Sequence, residues 1–262
     1  MTNNKDVKLI GISLKMYMDR VATIKWAEEV KSKIQDHEAI RSKEVRIFIL
    51  PSFPLIVDVL QVFNGTEIQV GAQNLFYEDS GAYTGEVSPV VLRQLGCDYV
   101  SIGHHERRTY FEENDDQIGK KTLAAFRNNM VPVICVGEEL FVDDESAELE
   151  TISQIQSALL FSSEYKDSPT VIAYEPSWAI GAQIPATAVH INHLCGAIQS
   201  ELHQLGFTKT WVIYGGSAGP GLYAQVKENV NGLFLGRMAH DPEAVLTVLN
   251  EFWIEKPVAG VL

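Results

Sequence analysis

A glutamate at the end of an apolar run is the first residue in this chain that could do chemistry. The run from Thr170 to Ala173 predicts a buried strand, and Glu175 follows it directly before Pro176. A carboxylate in that place has apolar walls, which suit a general base. Pro176 stiffens the chain, and the small residues up to Gly181 could move as a lid that excludes water. A surface glutamate that caps a turn is the alternative interpretation.

Seven further short apolar runs predict strands, and helical patterns lie between the runs. Alternating strands and helices imply parallel pairing, and eight such units imply a closed barrel. An open doubly wound sheet is the rival, but no GxGxxG motif follows the first run. No linker rich in proline or serine divides the chain, so we expect one α/β domain over residues 1–262. The predicted strands are Lys8–Ser13, Val45–Leu50, Glu67–Ala72, Tyr99–Gly103, Val131–Cys135, Thr170–Tyr174, Trp211–Tyr214 and Gly232–Leu235.

Polar residues and glycines follow these strands in a regular way. In a parallel barrel, every position just after a strand opens onto the same rim, where active sites of this fold are built. This convergence predicts an enzyme. The residues in question are Lys15, Asn74, His104, Glu138, Glu175, Ser217 and Gly236.

Composition excludes several classes of function. The formal net charge is −13 over 262 residues, so no basic stripe exists to neutralise nucleic-acid phosphates. The three cysteines are far apart and form no CxxC pair, which is typical of free thiols in a reducing compartment. No apolar leader or membrane-length run occurs, so we expect a cytoplasmic protein without a membrane partner. His190 and His193 could bind a metal, but no acidic residue lies close in sequence. We therefore expect a solvated helix face and no metal.

Several motifs together resemble the triosephosphate isomerase family, in family order and spacing from about residue 8 to 250. They are Gly71-Ala-Gln-Asn74, Gly85-Glu86, Gly103-His-His-Glu-Arg-Arg108, Cys135-Val-Gly-Glu138, Ala173 to Gly181, Tyr214-Gly-Gly-Ser217 and Gly232-Leu-Phe-Leu-Gly236. The resemblance implies a TIM barrel that isomerises a small phosphorylated sugar through an enediolate, with neither metal nor organic cofactor. It implies Glu175 as the base, with His104 as the proton donor and shuttle, a pairing taken from that family. It also implies Lys15 as a fixed cation held by Glu106.

Phosphate binding needs backbone N–H groups, which glycine leaves accessible, and barrels of this type hold phosphate after strands seven and eight. Gly181, Ser217 and Gly236 are the candidates, and the resemblance implies that Tyr214 and Ser217 latch the lid. The long irregular stretch from Gln73 to Ser88 resembles the loop through which the family forms a homodimer, with Thr84 directed to the partner.

The sequence departs from triosephosphate isomerase at the ligand-handling positions. Ser13 and Leu14 stand where that enzyme has Asn and Trp, which removes volume beside the reacting carbon. Arg237 replaces a phosphate-binding glycine and can add a charged fork. Ile184-Pro185-Ala186 replaces the usual far hinge of the lid, and His105 replaces a serine.

Three of these departures resemble the tetrulose-phosphate isomerases of erythritol catabolism, a sister group. They are the Ser13-Leu14-Lys15 start, the hinge Ile184-Pro185-Ala186 and the turn Gly236-Arg237. We therefore favour L-erythrulose 1-phosphate as substrate and D-erythrulose 4-phosphate as product. The isomerisation of dihydroxyacetone phosphate to D-glyceraldehyde 3-phosphate is the alternative. A barrel that binds a phosphate ligand without turnover is a third.

Overall fold

Eight parallel strands form a closed barrel in the computed structural model, which describes residues 7–183 and 186–253. The strands are β1 Lys8–Ser13, β2 Val45–Leu50, β3 Gln69–Ala72, β4 Tyr99–Ile102, β5 Val131–Val136, β6 Thr170–Tyr174, β7 Thr210–Tyr214 and β8 Gly232–Leu235. Between and after them lie α1 Arg20–Ile34, α2 Glu38–Arg41, α3 Ile56–Phe63, α4 Pro89–Leu95, α5 His105–Phe111, α6 Asp115–Arg127, α7 Asp144–Leu159, α8 Ala188–Gln204, α9 Tyr223–Val226 and α10 Pro242–Trp253.

The predicted (β/α)₈ TIM barrel is confirmed, because β1 pairs in parallel with both β2 and β8 and so closes the sheet. Four strand bounds differ from the prediction. β3 begins at Gln69, the first of its residues to pair with β2, and β4 ends at Ile102. β5 runs on to Val136 and β7 begins at Thr210, since both residues have partners on β6.

The barrel interior is filled by side chains from the inward positions of the strands. Phe48 and Tyr99 stack there with ring centroids 4.3 Å apart, beside Phe234. Gly11 makes room for them, because a Cβ atom at that position would lie 2.4 Å from the Phe48 ring. A second, larger apolar layer lies between the strands and the surrounding helices. This filled interior gives the residues at the strand ends a rigid floor.

Side chains alternate along each strand, and this alternation decides which residues reach the barrel mouth. On β1, Leu9 belongs to the inner core, whereas Ile10, Ile12 and Leu14 belong to the outer layer. The prediction that Leu14 opens space beside the reacting carbon is therefore wrong. Its side chain is 2 % exposed and packs behind the barrel wall. Ser13 has the inward parity of Leu9.

Local sequence fixes where several helices begin. Asp19, Asn114, Asp143 and Thr187 each accept a hydrogen bond from a backbone N–H of the first turn of α1, α6, α7 or α8, respectively. α1 begins at Arg20 because its cap is Asp19. Within residues 7–183 and 186–253, no helix is long and apolar enough to cross a membrane.

Candidate active site

Glu175 lies at the barrel mouth directly after β6, with the inward parity of Val171 and Ala173. It is 7 % exposed, and its Oε2 atom has no hydrogen-bond partner in the described structure. Its side chain runs against the backbone of Gly215 after β7, where a Cβ atom would lie 2.6 Å from the Glu175 Cγ atom. Glycine at 215 therefore leaves room for a buried carboxylate with one uncommitted oxygen.

His104 lies opposite this carboxylate, after β4, with its Nε2 atom 3.9 Å from Glu175 Oε2. The backbone N–H of Glu106 donates to His104 Nδ1 at 3.2 Å, so Nδ1 bears the lone pair. A neutral ring with that arrangement holds its proton on Nε2. The histidine thus presents an N–H group to the mouth, and a reacting group can fit between it and the carboxylate.

Lys15 places a cation beside the same mouth through a strained turn. Its φ of 47° lies in the left-handed region, which is unfavourable for a residue with a side chain. Bonds from the Ser52 hydroxyl and the Gln73 amide to the Lys15 carbonyl hold this conformation. Lys15 Nζ donates to Glu106 Oε1 at 2.7 Å. Although partial burial opposes it, this bond helps to hold the pKa of the Glu106 carboxyl below its usual value.

The lid, which we define as residues 176–183, contacts the loops after β5 and β7. Trp178 Nε1 donates to Glu138 Oε1 at 2.7 Å, and the Ser217 hydroxyl donates to the Ala179 carbonyl at 2.7 Å. Tyr214 donates its hydroxyl proton to the Gly216 carbonyl and accepts from the N–H of Ala186, just beyond the lid. Ser217 thus makes the predicted contact with the lid, whereas the Tyr214 hydroxyl bonds the segment just beyond the lid. Residues 184 and 185 of the predicted far hinge lie outside the described residues.

The predicted phosphate residues lie on three adjacent segments. Gly181 is in the lid with a φ of 74°, and Ser217 bonds the lid from the turn after β7. That turn also adjoins the segment after Gly236, since a Cβ atom on Gly219 would lie 3.4 Å from Met238. Open space surrounds the Cα atoms of Gly181 and Gly236, so a ligand could approach either backbone closely. The lid thus contacts the turn after β7, and that turn contacts the segment after β8.

The Arg237 side chain is exposed and turns towards the segment after β1. Its guanidinium carbon lies 5.7 Å from the centroid of the Tyr17 ring. Tyr17 also packs edge-on against His240, with centroids 5.2 Å apart. The guanidinium group therefore adds positive charge on the same side of the barrel as Lys15 and Gly236.

A sequence profile described as triosephosphate isomerase matches residues 8–252. The chain belongs to the triosephosphate isomerase family. It is 43 % identical over 244 residues to the L-erythrulose-1-phosphate isomerase of Pectobacterium atrosepticum, covering 92 % of this chain and 94 % of that protein. It is 37 % identical to the protein of the same name from Mesorhizobium japonicum, with 92 % and 95 % covered. It is 35 % identical to the triosephosphate isomerase of Caldanaerobacter subterraneus subsp. tengcongensis, with 92 % and 98 % covered.

The chain is therefore an isomerase, as the resemblance predicted. Two of the residues predicted to lie at the rim, Asn74 and Glu138, bond other side chains of the protein. Asn74 accepts a bond from the buried Lys121, which also pairs with Glu113 at 2.5 Å. Glu138 is fully buried and accepts from Tyr174 and Trp178. These carboxylate and amide groups organise the loops around the site and do not face its open centre.

The neighbours of His104 make structural contacts. Arg107 pairs with Glu113 at 2.6 Å and Arg108 pairs with Asp115 at 2.7 Å. His105 lies 3.3 Å from the Thr109 hydroxyl, one turn along α5. Burial, then the neighbouring His104, lowers the pKa of His105. These contacts hold α5, and with it His104, against the barrel.

His190 is a second residue whose environment the sequence predicted wrongly. It is 7 % exposed and bonds Glu138 and Asp144, so the expectation of a solvated face fails for it. No spacing signal could have shown this, because its acidic partners come from the loop after β5 and from α7. Within the described residues, no cluster of three or more histidine, cysteine or acidic side chains could hold a metal ion.

Proposed function

We propose that this isomerase interconverts L-erythrulose 1-phosphate and D-erythrulose 4-phosphate through an enediolate, without a cofactor. The observation that carries the proposal is the pair formed by Glu175 Oε2 and His104 Nε2. They face each other 3.9 Å apart across the mouth, and the carboxylate oxygen has no hydrogen-bond partner among the described residues. This is the arrangement of a base and an acid that act on adjacent atoms of one small substrate.

In the proposed reaction, Glu175 removes the proton from the carbinol carbon next to the carbonyl. His104 donates its Nε2 proton to the carbonyl oxygen, and the C–C double bond of the enediolate forms. His104 then takes the proton of the neighbouring hydroxyl, and Glu175 returns its proton to the former carbonyl carbon. Lys15 stabilises the negative charge that develops on the oxygens. The net result is a carbonyl moved by one carbon, with all atoms conserved.

Ser13 supports the four-carbon substrate. Its side chain is 9 % exposed at the inward position next to Lys15, and its hydroxyl bonds no other described residue. L-erythrulose 1-phosphate is dihydroxyacetone phosphate with one hydrogen replaced by CH₂OH on the carbon that loses its proton. A free hydroxyl near that carbon can bond the added one. The two L-erythrulose-1-phosphate isomerases that share 43 % and 37 % of their residues with this chain favour the same choice.

Triosephosphate isomerase activity is the second candidate, because relatives of that name are 35 % to 36 % identical to this chain. The same base and acid would serve dihydroxyacetone phosphate equally well. For either substrate, we propose that the phosphate binds among Gly181, Ser217 and Gly236, with Arg237 adding charge. Rotation of the Arg237 side chain away from Tyr17 would bring it closer to a ligand held after β8.

We further propose a cytoplasmic homodimer in which residues 1–262 form one domain. Free, buried thiols at Cys97, Cys135 and Cys195 suit a reducing compartment. The long loop after β3 carries an aromatic cluster of Phe76 and Tyr83, of which Tyr83 is 45 % exposed. An exposed aromatic of this kind suits a contact between copies of the chain.

A side-by-side assay on both substrates tests the function. We expect kcat/KM for L-erythrulose 1-phosphate to exceed that for dihydroxyacetone phosphate by roughly tenfold or more. In D₂O, deuterium should enter at the carbon that becomes the new carbinol, because the base exchanges its proton with solvent. A wide preference for the triose would make this chain a triosephosphate isomerase. Ligand binding without turnover or exchange would overturn the catalytic assignment.

A further inference from the structure

His190 lies on the first turn of α8 between two carboxylates. Its Nδ1 atom is 2.7 Å from Asp144 Oδ1 on α7, and its Nε2 atom is 3.2 Å from Glu138 Oε1 after β5. The Tyr174 hydroxyl lies 2.8 Å from the same Nε2 atom. Glu138 is completely buried, so its charge has no contact with solvent. A buried carboxylate of this kind needs donors and a compensating charge.

The acceptors around the ring favour its doubly protonated form. The Tyr174 hydroxyl has one proton, for which the carboxylate of Glu138, 3.0 Å away, is the stronger acceptor. With the proton placed there, the hydroxyl accepts from His190 Nε2, 2.8 Å away. Asp144 can only accept, so Nδ1 must donate as well. A neutral imidazole has a single N–H, whereas an imidazolium supplies both donors and neutralises Glu138.

The lid rests on the same carboxylate oxygen. Trp178 Nε1 donates to Glu138 Oε1 at 2.7 Å, and this oxygen is the one that His190 approaches. The Trp178 and His190 rings also meet edge to face, with centroids 5.9 Å apart. The position of the indole is therefore tied to the position and charge of Glu138, and both depend on His190.

We propose that His190, as an imidazolium held between Asp144 and Glu138, is a positioning residue that fixes Trp178 and so keeps the lid over the site. It touches neither the substrate nor the reacting atoms. Its catalytic consequence rests on the proposed function, because a lid matters only if an enediolate has to be shielded. The contact between His190, Glu138 and Trp178 stands without it.

The role of His190 depends on pH in a defined direction. The bond to Glu138 raises its pKa, burial opposes this, and the bond to Asp144 adds to the increase. Tyr174 is the remaining titratable group in contact, and burial followed by the Glu138 charge raises its pKa well above the usual range. One turn along α8, His193 pairs with Glu148 at 3.1 Å and Cys195 is buried. The stabilisation by His190 is therefore complete below its unfolded pKa and is lost as the pH rises through the folded pKa.

The direct test observes the lid without substrate. The four tryptophans are labelled with 5-fluorotryptophan, and the Trp178 resonance is assigned by Trp178→Phe. We expect this resonance to move with a single alkaline titration that is absent in His190→Gln. Its midpoint should fall in Asp144→Asn, which removes the charge of a half-exposed partner and leaves the fold intact. His193→Gln is the matched control and should titrate like the wild type. The proposal is overturned if the Trp178 resonance does not shift with pH in the wild type. It is also overturned if His190→Gln and Asp144→Asn both show the wild-type titration.

A second experiment measures the loss of phosphate from the enediolate, which the lid should prevent. In an enediolate next to a phosphate ester, the electrons of one oxygen can re-form a C=O bond while the C–C double bond shifts to the carbon that carries the phosphate. The C–O bond to the phosphate then breaks, its electron pair leaves with inorganic phosphate, and an enol with an adjacent carbonyl remains. We expect phosphate released per isomerisation to rise several-fold in His190→Gln and Asp144→Asn, and in the wild type only as the pH rises. His193→Gln should release no more than the wild type at any pH. Equal release in all variants overturns the proposal. If the protein turns over neither substrate, the proposed function fails and the fluorine experiment still decides the role of His190.

Discussion

Ser13, Leu14 and Lys15 show how one strand divides neighbouring residues between two environments. Ser13 continues the inward positions of β1, whereas Leu14 packs in the outer layer. Lys15 reaches the mouth because the left-handed turn at its φ of 47° redirects it. Leucine at position 14, where triosephosphate isomerase has Trp, therefore alters packing against the helices and leaves the volume of the mouth unchanged. We therefore propose that the contribution of this segment to substrate choice comes from Ser13.

This division predicts the outcome of two neighbouring substitutions. Ser13→Asn should lower the ratio of kcat/KM for the tetrulose phosphate over the triose phosphate by roughly tenfold, because it fills the space and removes the hydroxyl. Leu14→Met, a volume-conserving change in the outer layer, is the control and should leave the ratio unchanged. Steady-state kinetics on both substrates measures the effect. An equal change in both variants would mean that position 13 does not contact the added CH₂OH group.

The substitution Glu175→Gln tests the proposed catalytic base. The amide keeps the shape of the side chain but cannot accept the proton, so kcat should fall by at least ~10²-fold. The affinity for inorganic phosphate, measured by calorimetry, should change little, since the proposed phosphate region lies on other segments. A near-normal kcat would place the base elsewhere.

At the scale of elements, the strands were predictable, because apolar runs of four to six residues alternate with helical patterns. The rim residues Lys15, His104 and Glu175 follow from the same argument. The side chains that support the lid could not be predicted in this way. Glu138, Asp144, Trp178 and His190 come from four segments, and periodicity describes one segment at a time. Contacts among side chains of distant loops are set by packing, which no local pattern encodes.

The segment just beyond the lid is bonded to Tyr214 at the end of β7, whose hydroxyl accepts from the N–H of Ala186 at 3.2 Å. Tyr214→Phe leaves that buried N–H without its partner, a loss worth about 1–3 kcal/mol in the closed arrangement. We expect kcat/KM to fall by at least roughly tenfold, with more phosphate released per turnover. Thermal unfolding provides the control, since the change should alter stability far less than catalysis. Unchanged kinetics would mean that this bond does not hold the lid.

At the scale of the whole molecule, the proposed dimer should depend on exposed apolar side chains beside the long loop. Met16 is 91 % exposed and follows Lys15, whose carbonyl bonds Gln73 at the start of that loop. Met16→Glu would bury a charge in the contact and should shift the equilibrium towards a monomer. Sedimentation equilibrium measures the mass. Leu149→Glu, at a residue 69 % exposed on α7, is the control and should remain dimeric. A wild-type monomer would contradict the proposed assembly.

The buried cluster beneath α5 and α6 predicts how the whole molecule responds to acid. Burial alone would raise the pKa of Glu113, but the adjacent Lys121 and Arg107 outweigh it and hold that pKa below its usual value. Because the folded pKa is depressed, this stabilisation is present above the unfolded pKa and is lost as the pH falls through the folded pKa.

Glu113→Gln leaves Lys121 buried without its paired anion, which should cost about 3–5 kcal/mol. Calorimetric Tm between neutral and acidic pH measures both effects. The variant should begin with a lower Tm at neutral pH and lose less of it on acidification than the wild type. Asp116→Asn, which breaks the exposed pair with Lys120, should leave the wild-type curve nearly unchanged. Parallel curves for Glu113→Gln and the wild type would show that other carboxylates govern the acid transition.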